Sequence, residues 1–594
     1  MSQRPRATIG RRTHRYSPLL SGLVSVLLAV FVLPSALNVP QSNPNQTLEF
    51  APVPPQDDQP PPVETGNVAS LSLGSSSDLS GDVVGGAGPG LPPPPPLPEG
   101  EGARPVTKRC LGDPPRQTED PMSPPCVAHF DGDNGGATHT GVTSDEVRLV
   151  IFMPGSSGGA SSRGLESTPT NTWVDLSEPP EGGDEVVYTR VFRAYQRHFN
   201  LRYQTYWRNV HFWIHYDGGG EERTPEHRRA QALEAKQHVD PFAVLGFVGV
   251  SSSAYFEALN ELGIVSFIGN WTGITGFGQT EAFFRKRPGH AWSYNPSLDN
   301  RADLYSSYVC SKVAPYQVSF SGNDDHGQER VFGLLRTVSV TDYAVYGEMI
   351  RQRLRDCGMT FAEGTYGAAG SEDDAAAATN IARFRQEGVT TILFTGSDVT
   401  HTQAAGGLGW YPEWVLAGDD TSEREFQSRI QHQGAFQYVR GVTVYPAVTD
   451  PQDQACVRAY LEVEPDAPMA DITGTACQFF HHLRQVFIGI QVAGPRLTPE
   501  AMDRGFHAIP AIPSGDPEVP ACFYEPGDFT CVKDAQAQWW DPQGQAPGRR
   551  GNGCWRMIEQ GQRYLAGTWP EGDVEQQRGD AGTDACTTQG PDVT

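Results

Sequence analysis

The stretch Val147–Gly159, VRLVIFMPGSSGG, holds the first residues whose types and spacing could do chemistry. Gly155-Ser156-Ser157-Gly158-Gly159 fits G-x-S-x-G, in which a sharp strand-to-helix turn exposes a nucleophilic serine, here Ser157. Such an elbow needs a helix directly after the serine and a histidine base brought close by the fold. The next residues, SSRGLESTPTNTW, are turn-formers without a helical period. The better reading is a glycine loop at the carboxyl end of a first strand, where small residues let a backbone approach a bound molecule. Catalysis is not expected.

Three further groups could hold a ligand. Ser251-Ser252-Ser253 follow a buried strand and open a helix through Leu262, where free amides and the positive helix end favour an anion. The same serines would serve as an ordinary helix N-cap, worth about 1 kcal/mol. Asp419 and Asp420 end the strand WVLAG, where a carboxylate could form a charge-assisted hydrogen bond to a cation, or could cap the helix starting at TSEREF. His481-His482 lie on the apolar helix CQFFHHLRQVFIGI without partners at metal-ligand spacing, so surface or interhelical packing is expected. Trp539-Trp540 and Trp555 read as strand and hairpin packing. No C-x-x-C occurs, and neither a metal nor a cofactor is implied.

These groups must be positioned by alternating strands and helices. VRLVIFMP is a strand, Val186–Leu201 a helix, Val210–Tyr216 a strand, Pro225–Lys236 a helix and Pro241–Val250 a strand. The alternation continues through Gly263–Gly269, Gln317–Gly322, a helix at Asp342–Asp356, Thr390–Gly396 and Trp414–Asp420. Strand, helix, strand repeated predicts parallel sheets, and so many strands predict two doubly wound α/β units, the second starting near residue 300.

The chain has 594 residues, a formal net charge of -25, 65 Gly and 49 Pro. An acidic chain with no basic stripe after residue 16 does not suit nucleic acid. Arg4, Arg6, Arg11, Arg12 and Arg15 precede an uncharged run from Leu19 to Leu37, the layout of an export signal over residues 1–38. The run is long enough to remain as a membrane anchor, and Pro34-Ser35-Ala36 is a poor cleavage site, so both outcomes stay open. The arginines place the body outside the membrane either way. Residues 39–105 are Pro-, Gly- and Ser-rich and read as a disordered tether, with an average reach of roughly 45 Å. Ten cysteines in an exported chain read as disulfides. Proximity along the chain suggests Cys110 with Cys126, Cys310 with Cys357, Cys456 with Cys477 and Cys522 with Cys531, although connectivity does not follow from sequence.

GVTSDEVRLVIFMP (Gly141–Pro154), DPFAVLGFVGVSSSAYFEALNELGIVSFIGN (Asp240–Asn270), GWYPEWVLAGDD (Gly409–Asp420) and GCWRMIEQGQRYLAGTWP (Gly553–Pro570) resemble the type I periplasmic binding proteins. The nearest likeness is to the branched-chain amino acid binding proteins of ABC importers, in an actinobacterial style. The resemblance implies two α/β lobes joined by three crossings and closing over a small solute, with a permease in the membrane as partner. Lobe I would comprise 141–300 and 441–510, and lobe II 301–440 and 511–570, after a disulfide-containing lead-in at 106–140 and before a flexible tail at 571–594. It further implies that Ser251, Ser252 and Ser253 hold a ligand carboxylate, that Asn270, Trp271 and Thr272 add contacts on the same side, and that Asp420 pairs with an α-ammonium group. His326 would present a ring from lobe II, and Gly396 and Ser397 would complete that side. Ser156–Glu185 is longer and more polar than the family's first loop, no cysteine precedes Cys110 for lipid attachment, and Pro510–Gly553 carries extra cysteines. The alternative function is a ligand-sensing or structural surface module on the same fold, again without catalysis.

Overall fold

In this computed structural model the described residues are 110–594 except 112–114, 129, 154–169, 178–185, 218–223, 247–252, 270–277, 339–340, 368–370, 397–398, 419–422, 424, 448–453, 468–476, 547–550, 576–585 and 588–594. All of them belong to one compact unit, Val83–Thr594. The export signal, the whole of the tether and the Gly155–Gly159 loop lie outside the described residues. Among the described residues no helix is long and apolar enough to cross a membrane.

A short lead-in ladder, β1 (Cys110–Leu111) with β2 (Arg116–Gln117), precedes the first large sheet. That sheet contains β3 (Glu146–Met153), β4 (Thr172–Asp175), β5 (Asn209–Tyr216), β6 (Ala243–Gly246), β7 (Val265–Ile268) and β8 (Ala291–Ser293). Their spatial order is β4-β5-β3-β6-β7-β8, parallel except for the antiparallel edge strand β4. β3 is apolar over nearly its whole length because both faces are covered by helices. Phe212 of β5 packs on Phe487 of the helix Cys477–Ala493, whose Phe479 and Phe480 meet Phe192 and Phe199 of the helix Val187–Arg202. On the other face Phe152 of β3 stacks at 4.1 Å on Tyr255 of the helix Ser253–Glu261.

The second sheet holds β9 (Phe332–Thr337), β10 (Phe361–Tyr366), β11 (Thr391–Phe394), β12 (Glu413–Leu416) and β13 (Val439–Thr443), in the parallel order β10-β9-β11-β12-β13. β14 (Asp534–Asp541) adds antiparallel to β13, and β15 (Cys554–Met557), β16 (Arg563–Leu565) and β17 (Cys586–Thr587) come after it. Trp540 and Trp555 are fully buried in this extension, at 5.5 Å ring separation. The chain passes between sheets three times: after β8, after β13 and on entering β14. The five parallel strands of each sheet share one order, second-first-third-fourth-fifth, the doubly wound arrangement.

Gln317–Gly322 is not a strand. Its Ser319 and Phe320 amides donate to the Glu413 carboxylate (2.7 and 2.9 Å), and the Gly322 amide donates to Tyr411 O (2.8 Å). With its hydrogen bonds spent on a side chain and on the chain ahead of β12, the segment joins no ladder, and β9 is the strand that opens the second sheet. β4 lies in the segment expected to be loop. Trp173 holds it there, stacked on His215 and His238 at 4.0 and 4.5 Å and donating to Glu234 (2.8 Å).

All four suggested disulfides are present, and Cys554–Cys586 completes the set. His481 and His482 are packing residues: both meet Tyr294, which follows β8, His481 stacked at 5.0 Å and His482 edge-on at 5.8 Å. Burial, reinforced by the Arg484 charge, pushes the His482 imidazole down to about 3 and that of His481 well below its ordinary value. Among the described residues no group of His, Cys, Asp and Glu could hold a metal ion.

Candidate functional site

Open α/β sheets bind ligands beyond the carboxyl ends of their strands, at the point where strand order reverses. In the first sheet that point lies between β3 and β6, in the second between β9 and β11. The segments leaving these four strands are therefore the geometric candidates: 154–169, 247–252 into Ser253, Val338 into Asp342, and Thr395 into 398.

Ser253 is the first residue of the helix after β6, and its Oγ donates to Gln279 Oε1 at 3.1 Å. Gln279 is buried, and its Nε2 has no hydrogen-bond partner among the described residues. This buried amide beside the start of the helix after β6 is a residue the sequence reading missed, because Gln279 stands in a connection with no strand or motif to mark it. Ser251 and Ser252, ahead of Ser253, lie outside the described residues. So do Asn270, Trp271 and Thr272, which come after β7 in sequence.

At the end of the neighbouring strand β5 the Tyr216 hydroxyl is 3.1 Å from that of Thr189 on the helix Val187–Arg202, and Asp217, just after β5, accepts from Arg228 Nη1 at 2.9 Å. Both members of that ion pair are buried. The Arg228 guanidinium also lies over the Phe152 ring at 5.5 Å. Burial lowers His215 to about 4 and raises the Tyr255 hydroxyl, so this edge presents a neutral imidazole and a neutral phenol around one ion pair.

In the second sheet Gly396 leaves β11, and a methyl group there would overlap the Tyr366 hydroxyl at the end of β10. Only glycine lets that phenol occupy the edge. Thr395 Oγ1 donates to Leu335 O at 3.2 Å, tying β11 to β9 at the reversal point. Ser397 and Asp420 lie outside the described residues. The strand leading to Asp420 is held firmly: Tyr305 Oη donates to Val415 O (2.8 Å), Tyr346 Oη to Ala417 O (2.6 Å), and Arg301 Nη1 reaches Gly418 O (3.5 Å). Gly418 has φ +69, and a Cβ there would stand 2.6 Å from Val442 O.

His326 is not at this edge. Its Nε2 lies 2.6 Å from Ser321 O, in the loop bonded to Tyr411 and Glu413, which precede or begin β12. That is the amino-terminal end of the second sheet, opposite the strand ends that lead to Gly396. Placing a first strand at Gln317–Gly322 put the loop after it at the wrong end. The segment at the reversal point is instead Val338–Asp342, after β9, with Asp342 and Tyr343 buried at the start of the next helix.

No protein-family model matches the chain, and no curated protein matches it. Solved structures do. A leucine-, isoleucine-, valine-, threonine- and alanine-binding protein from Brucella ovis, in its closed conformation, is 10% identical with a TM-score of 0.50, covering 75% of this chain and 100% of its own. An ABC transporter solute-binding protein from Rhodopseudomonas palustris BisB5, in complex with 3,4-dihydroxybenzoic acid, is 9% identical with a TM-score of 0.48, covering 71% and 98%. An ABC transporter substrate-binding protein from Desulfitobacterium hafniense, in complex with Leu, is 10% identical with a TM-score of 0.42, covering 71% and 100%. Two doubly wound sheets of one strand order, crossed three times by the chain and matched over 75% of it to the full length of the Brucella protein, give this chain the fold of the type I periplasmic binding proteins.

Proposed function

We propose that the chain is an extracytoplasmic solute-binding protein of an ABC importer, without catalytic activity, which takes a small amino-acid-like or amide solute between two lobes. The observation that carries the reading is the pair of strand-order reversals, one per sheet, on a chain similar over the full length of a protein named for binding leucine, isoleucine, valine, threonine and alanine. In this reading Ser251, Ser252 and Ser253, with Asn270, Trp271 and Thr272, hold the anionic end of the solute on lobe I. Asp420 takes the cationic end on lobe II beside Gly396 and Ser397. Lobe I is assigned 141–300 with 441–510, and lobe II 301–440 with 511–570. Five disulfides support an oxidising, extracytoplasmic location. The segment Leu19–Leu37 directs export and, if uncleaved, anchors the protein beside its permease.

A ligand contacting both lobes favours the closed form by the free energy of contacts made only there. The test is a thermal-shift screen of the full chain against amino acids, amides and short peptides, followed by calorimetry on the hit. Asp420→Asn is expected to weaken binding by about 1.5–3 kcal/mol, the range for a hydrogen bond to a charged group. Unchanged affinity in a folded variant removes Asp420 from the site. If no such compound binds at millimolar concentration, the structural-module alternative takes precedence.

A further inference from the structure

The three passages between the sheets are bonded to one another. The first, leaving β8, is paired with the third: Ser293 N donates to Phe529 O, Cys531 N to Ser293 O and Val532 N to Tyr294 O, each at 3.0 Å. The second, leaving β13, is tied to the third where Ala447 N donates to Pro517 O at 2.9 Å. Residues 508–533 form a hairpin on the way to β14, closed by Cys522–Cys531 and by reciprocal bonds between Ile512 and Cys522 at 2.9 and 3.1 Å.

One side chain secures the junction. Arg563, on β16, donates through Nη1 to Tyr445 O (2.9 Å) and through Nη2 to Val444 O (2.8 Å), both in the second passage. Its Nε donates to Asp534 Oδ1 (2.9 Å) where the third passage enters β14, and its Nη2 also to Asp534 O (3.1 Å). Asp534 in turn accepts from Ser514 Oγ (2.7 Å) and from Ala521 N (3.1 Å) of the hairpin. Both charged side chains are fully buried. A buried pair whose donors and acceptors are all engaged fixes one arrangement, because any movement that separates it strands a charge away from water.

Hinges move by concentrating backbone rotation in a few residues at element ends. Here those residues share main-chain hydrogen bonds, so none can rotate alone. We infer that Arg563, Asp534 and the 508–533 hairpin are a brace that makes the three passages one cooperative hinge and sets how freely the two sheets move relative to each other. The inference rests on the fold and these contacts, not on the ligand reading, and its test needs no solute.

In the native protein under rising urea, the amides of Ser293, Ala447, Cys531 and Val532 should exchange hydrogen through one shared opening, with a common denaturant dependence. Independent opening of these amides overturns the brace. The double variant Arg563→Met/Asp534→Leu removes the pair without leaving a lone buried charge. It should speed exchange at those four amides at least tenfold while amides of β5 and β9 keep their rates. Acceleration spread evenly over β5 and β9, or wild-type rates at the four amides, refutes the assignment. So does a failure of that variant to fold, since Asp534 and Arg563 would then hold up the second sheet, to which β14 and β16 belong, rather than the hinge.

Discussion

His482→Gln should make the protein markedly less sensitive to acid. His482 is buried on the helix Cys477–Ala493, edge-on to Tyr294, and burial with the nearby Arg484 charge lowers it from 6.5 to about 3. The native state therefore holds it neutral while the unfolded chain binds a proton below its ordinary value. Stability is complete above that value and is lost as pH falls from 6.5 towards 3, at about 1.4 kcal/mol per pH unit for one group. Between pH 7 and pH 5 the cost is about 2 kcal/mol. His215, lowered to about 4 by burial, adds a similar amount over the same interval. Urea unfolding at pH 7 and pH 5, followed by tryptophan fluorescence, measures the difference. His482→Gln and His215→Gln should each shrink the pH-dependent loss by about 2 kcal/mol, and by about twice that when combined, since the sites lie on separate elements. If His482→Gln keeps the wild-type loss at an unchanged m-value, the buried neutral imidazole is the wrong account.

Asp120→Asn breaks the buried pair with Arg484 (2.6 Å) and leaves a guanidinium without its counter-charge, so thermal unfolding should show a loss of about 3–5 kcal/mol. Gly396→Ala forces a methyl into the Tyr366 hydroxyl and should cost about 1–3 kcal/mol, part of which Tyr366→Phe restores in a double-mutant cycle; additivity of the two changes would contradict the overlap. Limited proteolysis of the full chain should release a resistant fragment beginning between residues 100 and 145, because residues 39–105 have too little apolar content to form a core, and rapid digestion of the body would count against that reading.

The fold was legible wherever a strand is dominated by β-branched, aromatic and other large apolar residues. β3, β5, β7 and β11 are of that kind, since sheets covered on both faces remove the need for polar alternation. β9 was not, because Gly333 and Arg336 interrupt the pattern. Gly333 is required there: a Cβ would stand 2.8 Å from the Phe384 ring, so the strand gives up a side chain to a helix that only the tertiary structure brings close. VSF at 318–320 offered better β-formers and misled, its backbone groups being claimed by Glu413 from 93 residues away. The segments that follow the strands were legible to the same extent. Ser253 and Gly396 come directly after recognisable strands, and both lie at strand-order reversals. His326 came after a false strand, and Gln279 after none. The Asp120–Arg484 pair, 364 residues apart, has no local signal at all.

The additions to the two parallel sheets share a location: each lies at a sheet edge or on a helix surface. β4 adds to the outer edge of β5, held by Trp173 and by His211, whose Nε2 lies 2.7 Å from Asp175. Residues 529–532 pair with the opposite edge, at β8, and the β14–β17 extension adds to the outer edge of β13. The lead-in packs on the helix Cys477–Ala493 through Asp120 and through Gln117, which accepts from Gln491 at 2.7 Å. Each addition uses a free sheet edge or a helix surface, where unpaired backbone groups need a partner in any case. Among the described residues none attaches between β3 and β6 or between β9 and β11. The additions thus occupy the outer edges of both sheets, and the order of the five parallel strands, with its reversal, is the same in each.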